Sequence, residues 1–271
     1  APPAAPESLI AVEGDAPVAL TQLLGAGSLL LNAAAPVSVG SLDALTGGLK
    51  LTNTTVAFTQ SGTLNPLSVF GVSGVSVGDG ATVTAASLTG GGTLVKTGAG
   101  TLSVGGGSGF SGGLALLGGT LTLGTGVQLN ALSLTGTDAA VTGSGTLSAQ
   151  SISAGASEGD LGTLTVSNLA LPHGGAVTVN VSGEACDRID VPGTLSAATD
   201  GSFHMTFTGT EDVKGQYTAF TFGDMDAASA TAIASWTITG DIPLKYKRTV
   251  LVNDGKVMLS LSLSGTLLSV K

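Results

Sequence analysis

The chain has 271 residues, 43 of them glycine, a formal net charge of −9, 10% charged residues and 42% hydrophobic residues. Soluble domains average about 25% charged residues and about 7% glycine; the apolar content here excludes charge-driven disorder, and the acidic balance excludes a phosphate-neutralising nucleic-acid face. Glycine does not fall at every third position, which excludes a collagen helix, and no run of about 18 apolar residues exists to form a membrane-spanning helix.

Residues 1–17 carry Pro2, Pro3, Pro6 and Pro17 and little pattern, so they are expected to form a linker or lead-in. The opening Ala1-Pro2-Pro3 has neither an initiator Met nor a charged-then-apolar leader, as expected of a mature end or of a cut within a longer chain. From Val18 to Ala154 the texture is uniform. Runs such as Ser28-Leu29-Leu30-Leu31, Val37-Ser38-Val39, Thr54-Thr55-Val56-Ala57-Phe58 and Val75-Ser76-Val77 alternate apolar with small polar residues and are broken by Gly, Ser, Thr or Asn. That is the period of half-buried strands, and no amphipathic helix of useful length competes with it.

The tripeptide Gly-Thr-Leu begins at Gly62, Gly92, Gly100, Gly119, Gly145, Gly162, Gly193 and Gly265, with many spacings between 17 and 31 residues. Short strands repeated in this way predict an all-β solenoid in which each coil adds a strand to a sheet running along the axis. Leu and Val point inward, Thr and Ser outward, and Gly turns the corners. Burying about three aliphatic side chains contributes roughly 5–9 kcal/mol, whereas ordering a coil of about 20 residues costs roughly 20–40 kcal/mol of backbone entropy. A single coil is therefore unstable, and stacking is obligatory.

The segment Gly91-Gly92-Thr93-Leu94-Val95-Lys96-Thr97-Gly98-Ala99-Gly100-Thr101-Leu102 continues through Gly109-Phe110-Ser111-Gly112-Gly113 to Gly119-Thr120-Leu121-Thr122-Leu123-Gly124. It resembles the passenger-associated β-strand repeat of bacterial autotransporters, a Gly-x-Leu-x-Lys-x-Gly-x-Gly-x-Leu core followed by an aromatic, Ser/Thr-Gly-Gly and a Gly-Thr-Leu strand. Two departures are Ser108-Gly109-Phe110 where the family has Asn-Thr-Tyr, and Leu114 where a Thr commonly follows the glycine pair. Residues from about 155 onward, including Leu161-Gly162-Thr163-Leu164-Thr165-Val166 and Asp187-Arg188-Ile189-Asp190-Val191-Pro192-Gly193-Thr194-Leu195, are similar to the C-terminal part of such passengers.

The resemblance implies a right-handed parallel β-helix on the bacterial cell surface or in the medium. It divides the chain into a repeat region (18–154) and a C-terminal continuation with an autochaperone-like cap (155–271). The family's outer-membrane barrel needs a series of about ten-residue strands, and the residues after Leu251 are too few for one. The barrel is expected to be separate or removed, with no membrane insertion by this segment.

Chemistry-bearing residues are sparse. Cys186 is the one cysteine, which excludes an internal disulfide. The densest charged group is Glu184, Asp187, Arg188 and Asp190; on an extended strand Arg188 and Asp190 share a face while Asp187 points the other way. It reads either as a small acidic or metal site or as a turn with a self-paired arginine. Glu158/Asp160, Glu211/Asp212 and Asp224/Asp226 offer too few oxygens for Ca²⁺, and His173 and His204 have no partner at metal-ligand spacing. Lys245-Tyr246-Lys247-Arg248 is the basic patch, read as a polyanion contact or as lysines guarding a strand edge. Trp236 is expected in the C-terminal cap, and it and Tyr217 would have to be exposed to stack on sugars.

No metal, cofactor or catalytic set is expected. The first functional expectation is a non-enzymatic stalk, scaffold or adhesin, with host or matrix glycans or proteins as partners. Asp187, Arg188, Asp190, Trp236, Lys245 and Lys247 are its candidate ligand contacts. The alternatives are a polysaccharide lyase or hydrolase whose carboxylates converge only in three dimensions, and a glycan-binding module over 155–271 on a β-helical neck.

Overall fold

A computed structural model describes residues 9–25, 27–45, 47–106, 109–137, 139–155, 161–208 and 214–263. The alternating runs form short strands, and the chain winds as a right-handed parallel β-solenoid that is nearly all β. In the middle of the solenoid each turn lays down three strands, while longer strands such as Val37–Leu45 and Arg188–Ala197 cover two columns at once. One turn comprises Leu88–Gly90, Thr93–Thr97 and Thr101–Val104; the next comprises Gly109–Phe110, Gly113–Leu116 and Thr120–Leu123. Successive turns place like strand on like strand, giving three columns along the axis.

The columns stack inward-facing residues in register. In the second column Leu94 pairs with Leu114, Leu114 with Leu134, and Leu134 with Ile152; in the third, Val83 pairs with Leu102, Leu102 with Leu121, and Leu121 with Val141. All of these are buried and belong to one continuous core. The period is set by layers, not by a fixed residue count. Register partners in the first column lie 18 residues apart at Leu49 and Leu67 and 26 apart at Leu169 and Leu195, because the corners absorb the difference.

The lead-in expected over 1–17 is shorter than read. Leu9–Gly14 is already a strand, pairing in parallel with Ser28–Ala33 from Leu9↔Ser28 to Gly14↔Ala33. Prolines dominated that expectation, yet Pro2, Pro3 and Pro6 all precede the strand, and Pro17 falls between it and the next strand, Val18–Gly25, where a missing N–H costs nothing. The parallel ladder runs without a break across residue 155, since Ala139–Gly143 pairs with Thr163–Val166 and Ser151–Ser153 with Ala176–Ser182.

The C-terminal end is closed differently. Lys256–Leu263 pairs antiparallel with both Gly215–Asp224 and Tyr246–Asn253. A short helix α1 (Ala227–Ala234) starts at Asp226, whose carboxylate accepts a 2.6 Å bond from the Ser229 N–H. That bond holds the Asp226 carboxyl below the usual range, as expected of a capping carboxylate. α1 directs Ile233 and Ala232 inward. Beside them Trp236, 4% exposed, donates its indole N–H to Ala198 O at 2.9 Å and lies 5.4 Å from the Phe203 ring. Gly201 is required beneath the indole, because a Cβ there would overlap the ring. No helix among the described residues is long and apolar enough to cross a membrane.

Candidate functional site

The charged segment lies where the second column hands over to the third. Ala176–Ser182 turns at Gly183 and pairs antiparallel with Ala185–Cys186, after which Arg188–Ala197 rejoins the parallel ladder. Side chains alternate along this strand, so Asp187 and the pair Arg188/Asp190 part company as the period requires. Asp187 is 2% exposed, and its two carboxylate oxygens accept the Gly162 N–H at 2.8 Å and the Asn180 N–H at 2.9 Å. It fastens two backbone segments together and is unavailable to a ligand, which corrects its expected role as a contact. Burial, then the Asp187 charge, push the Cys186 thiol up to about 11 while its S–H donates to Thr218 O; the sulfur is protonated at neutral pH and a poor nucleophile.

Arg188 and Asp190 do come together. Arg188 Nε and Nη2 lie 2.8 and 3.0 Å from the Asp190 oxygens, a bidentate pair, and Thr221 Oγ1 donates to Asp190 Oδ1 at 2.6 Å. Register carries this triad into a row on the outer face of the third column, Thr120–Ala140–Thr165–Asp190–Thr221–Lys256. Two open hollows adjoin along that row. One of about 460 Å³ is floored by Ala139 and Ala140 between Thr120 and Thr165; the other, of about 390 Å³, lies between Thr165, Asp190 and Phe222. The face carries three threonine hydroxyls, the paired Asp190 carboxylate and Arg188 guanidinium, and Lys256 at its C-terminal end.

Its chemistry is hydrogen bonding. Glycosidic cleavage by paired carboxylates requires one to donate a proton while the other stays ionised. Here Asp190, the one carboxylate of the described row, is held by an arginine. Among the described residues no three His, Cys, Asp or Glu side chains converge. His173 lies 3.9 Å from Asp200 with both exposed, and His204 Nδ1 lies 3.2 Å from Thr239 Oγ1. Glu158, Asp160, Glu211 and Asp212 lie outside the described residues.

The remaining expected contacts separate. Trp236 is buried in the cap and Tyr217 is 3% exposed, so neither offers a face to a sugar; this corrects Trp236 as a ligand contact, since its ring is used to close the core. Lys245 and Lys247 are exposed, with Lys245 Nζ 5.0 Å from the Tyr246 ring centroid. Arg248 donates instead to two backbone carbonyls, Ile238 O at 3.1 Å and Ile242 O at 2.9 Å.

Lys96, a residue of the repeat motif, is an internal residue. It is 0% exposed and occupies an inward position between Val75 and Leu116. Its ammonium donates to Thr97 O (2.8 Å), Gly98 O (3.0 Å) and Gly118 O (3.2 Å), tying one corner to the next turn. Gly119 must be glycine there, because its φ is +69° and a Cβ would lie 2.9 Å from the Lys96 nitrogen. Burial lowers the Lys96 pKa to about 8. The signal was legible in the alternation, since Leu94 and Lys96 share a face. Comparison with known protein-family models and with curated proteins returns no match.

Proposed function

We propose that this chain is the stem of a secreted or surface-displayed bacterial β-helical passenger, a non-enzymatic stalk or scaffold that can present an adhesive face. The observation that carries the reading is one continuous apolar core, running from Leu29 to Leu261 through turn after turn of parallel strands. Such an array resists local opening, because each layer is held by the layers on both sides. The repeat at 91–124 supports the same reading through its resemblance to autotransporter passengers, and Lys96 gives that motif a physical role in the fold.

The test is incubation of the purified chain with immobilised mucins, matrix proteins and polysaccharides, scoring retained protein and released sugar together. Retention without release supports an adhesin, and Arg188→Ala or Thr165→Ala then weakens it if the third-column face is the contact. Neither retention nor release supports a plain stalk. Sugar release abolished by Asp190→Ala overturns the non-enzymatic reading in favour of a polysaccharide-active enzyme. Asp187→Ala is unsuitable for that purpose because it damages the fold.

A further inference from the structure

The segment between the last second-column strand, Thr237–Gly240, and Tyr246–Asn253 is built around a turn in which the Tyr246 N–H donates to Pro243 O at 3.1 Å. Its two central residues are Leu244 and Lys245. Turn centres favour Gly, Asn, Asp and Ser, whose conformations or side chains help the chain reverse, and Leu offers neither advantage. Leu244 is 95% exposed, against 65% for Val72, the next most exposed large hydrophobic among the described residues. It contributes almost nothing to the core.

The turn is nevertheless held firmly. Ile242 and Tyr246, each 5% exposed, anchor it on either side, and Arg248 clamps it from beneath through the Ile238 and Ile242 carbonyls. A fixed apolar tip is thus presented with exposed Lys245 beside it and exposed Lys247 two residues on, in a chain whose net charge is −9. The nearest acid in the sequence, Asp241, is outnumbered by these cations.

We infer that this turn is a contact point for a lipid bilayer bearing anionic headgroups, with Leu244 entering the interface and Lys245 and Lys247 facing the phosphates. The chemistry of the tip selects that occupant. A single exposed Leu is too small to form the desolvated centre of a protein interface, which is built from clustered anchors. It does suit an interface that yields around one side chain, and the flanking lysines match the sign of the surface and can spread along it. The strength follows from the parts. Inserting Leu244 is worth roughly a tenfold gain in partitioning, and each lysine near an anionic surface about fivefold. One such tip orients the C-terminal end of a rod against a bilayer without anchoring it.

The experiment is co-sedimentation of the whole chain with phosphatidylcholine vesicles and with vesicles also containing phosphatidylglycerol, at about 0.1 M salt, where the Debye length of about 10 Å lets the surface act on the tip and screens the acidic body. The expected result is partitioning confined to the anionic vesicles, about tenfold weaker for Leu244→Ser and at least tenfold weaker for the double variant Lys245→Ser/Lys247→Ser. Leu244 and Lys247 are exposed, so unchanged thermal unfolding should accompany Leu244→Ser and a Lys247→Ser control, which separates binding from folding, while the double variant also gives up the Lys245 contact with the Tyr246 ring. Equal sedimentation with both vesicle types, anionic binding indifferent to either variant, or a self-association removed by Leu244→Ser would each overturn the inference. Retention on mucins or polysaccharides bears on the stem reading alone and leaves this result independent.

Discussion

Lys96 shows how a charged residue becomes part of an apolar interior. Its ammonium is desolvated, but three carbonyls surround it, so removing it strands acceptors that the fold has already withdrawn from water. Lys96→Met is expected to lose about 1–3 kcal/mol at pH 7 in denaturant unfolding. The pH dependence is specific. The folded-state pKa is about 8 and the unfolded one about 10.5, so between these values the unfolded chain holds more protons and stability rises with pH. The wild-type advantage over Lys96→Met should grow with pH across that window and be constant below it; a flat difference would place the ammonium in water. Asp187→Ala should cost about 2–3 kcal/mol, because two buried N–H groups lose a charged acceptor, whereas the surface pair is worth less and Asp190→Ala should change the unfolding midpoint little. Strand alternation alone separated the directions of these two acids in the sequence. It could not reveal that Asp187 meets Gly162, 25 residues away in the neighbouring turn, and Asn180, seven residues back across the hairpin.

At the level of elements, the strands were legible and so was a C-terminal cap holding Trp236; the pieces that build the cap were not. Each strand announces itself through Leu or Val alternating with Thr or Ser, and the register then follows from burying the same face in every turn. The cap is composed of unlike pieces. α1 has the sequence Ala-Ala-Ser-Ala-Thr-Ala-Ile-Ala, which has no polar-apolar stripe, so its helix is set by the Asp226 cap and by packing of Ile233. Trp236 ends as a lid because Gly201 leaves a flat floor beneath it, an arrangement that no local pattern encodes. Trp236→Ala is expected to destabilise the cap by about 3–5 kcal/mol. Hydrogen exchange should show the loss first in Thr237–Gly240 and Ser202–Thr208, with the central turns still protected; uniform acceleration over the whole chain would mean that the cap and the solenoid open as one unit.

Across the whole molecule, stability is distributed along a line. Leu121 is packed between Leu102 and Val141 in the third column and is fully buried, so Leu121→Ala should cost about 2–5 kcal/mol in chemical denaturation and create a protease-sensitive point in the middle of the rod. Its effect should fade over neighbouring turns, because each layer touches only those beside it. The corners obey another rule. Partners separated by 18 residues at Leu49 and Leu67 and by 26 at Leu169 and Leu195 are each stacked in parallel with the same face turned into the core. Length added at a corner is therefore invisible to the layers above and below, while a single residue added inside a strand turns its inward face outward. Such a molecule can be edited like a ladder whose rungs are fixed and whose side rails accept ornaments. New recognition loops can arise at its edges, generation after generation, without renegotiating the interior that carries them.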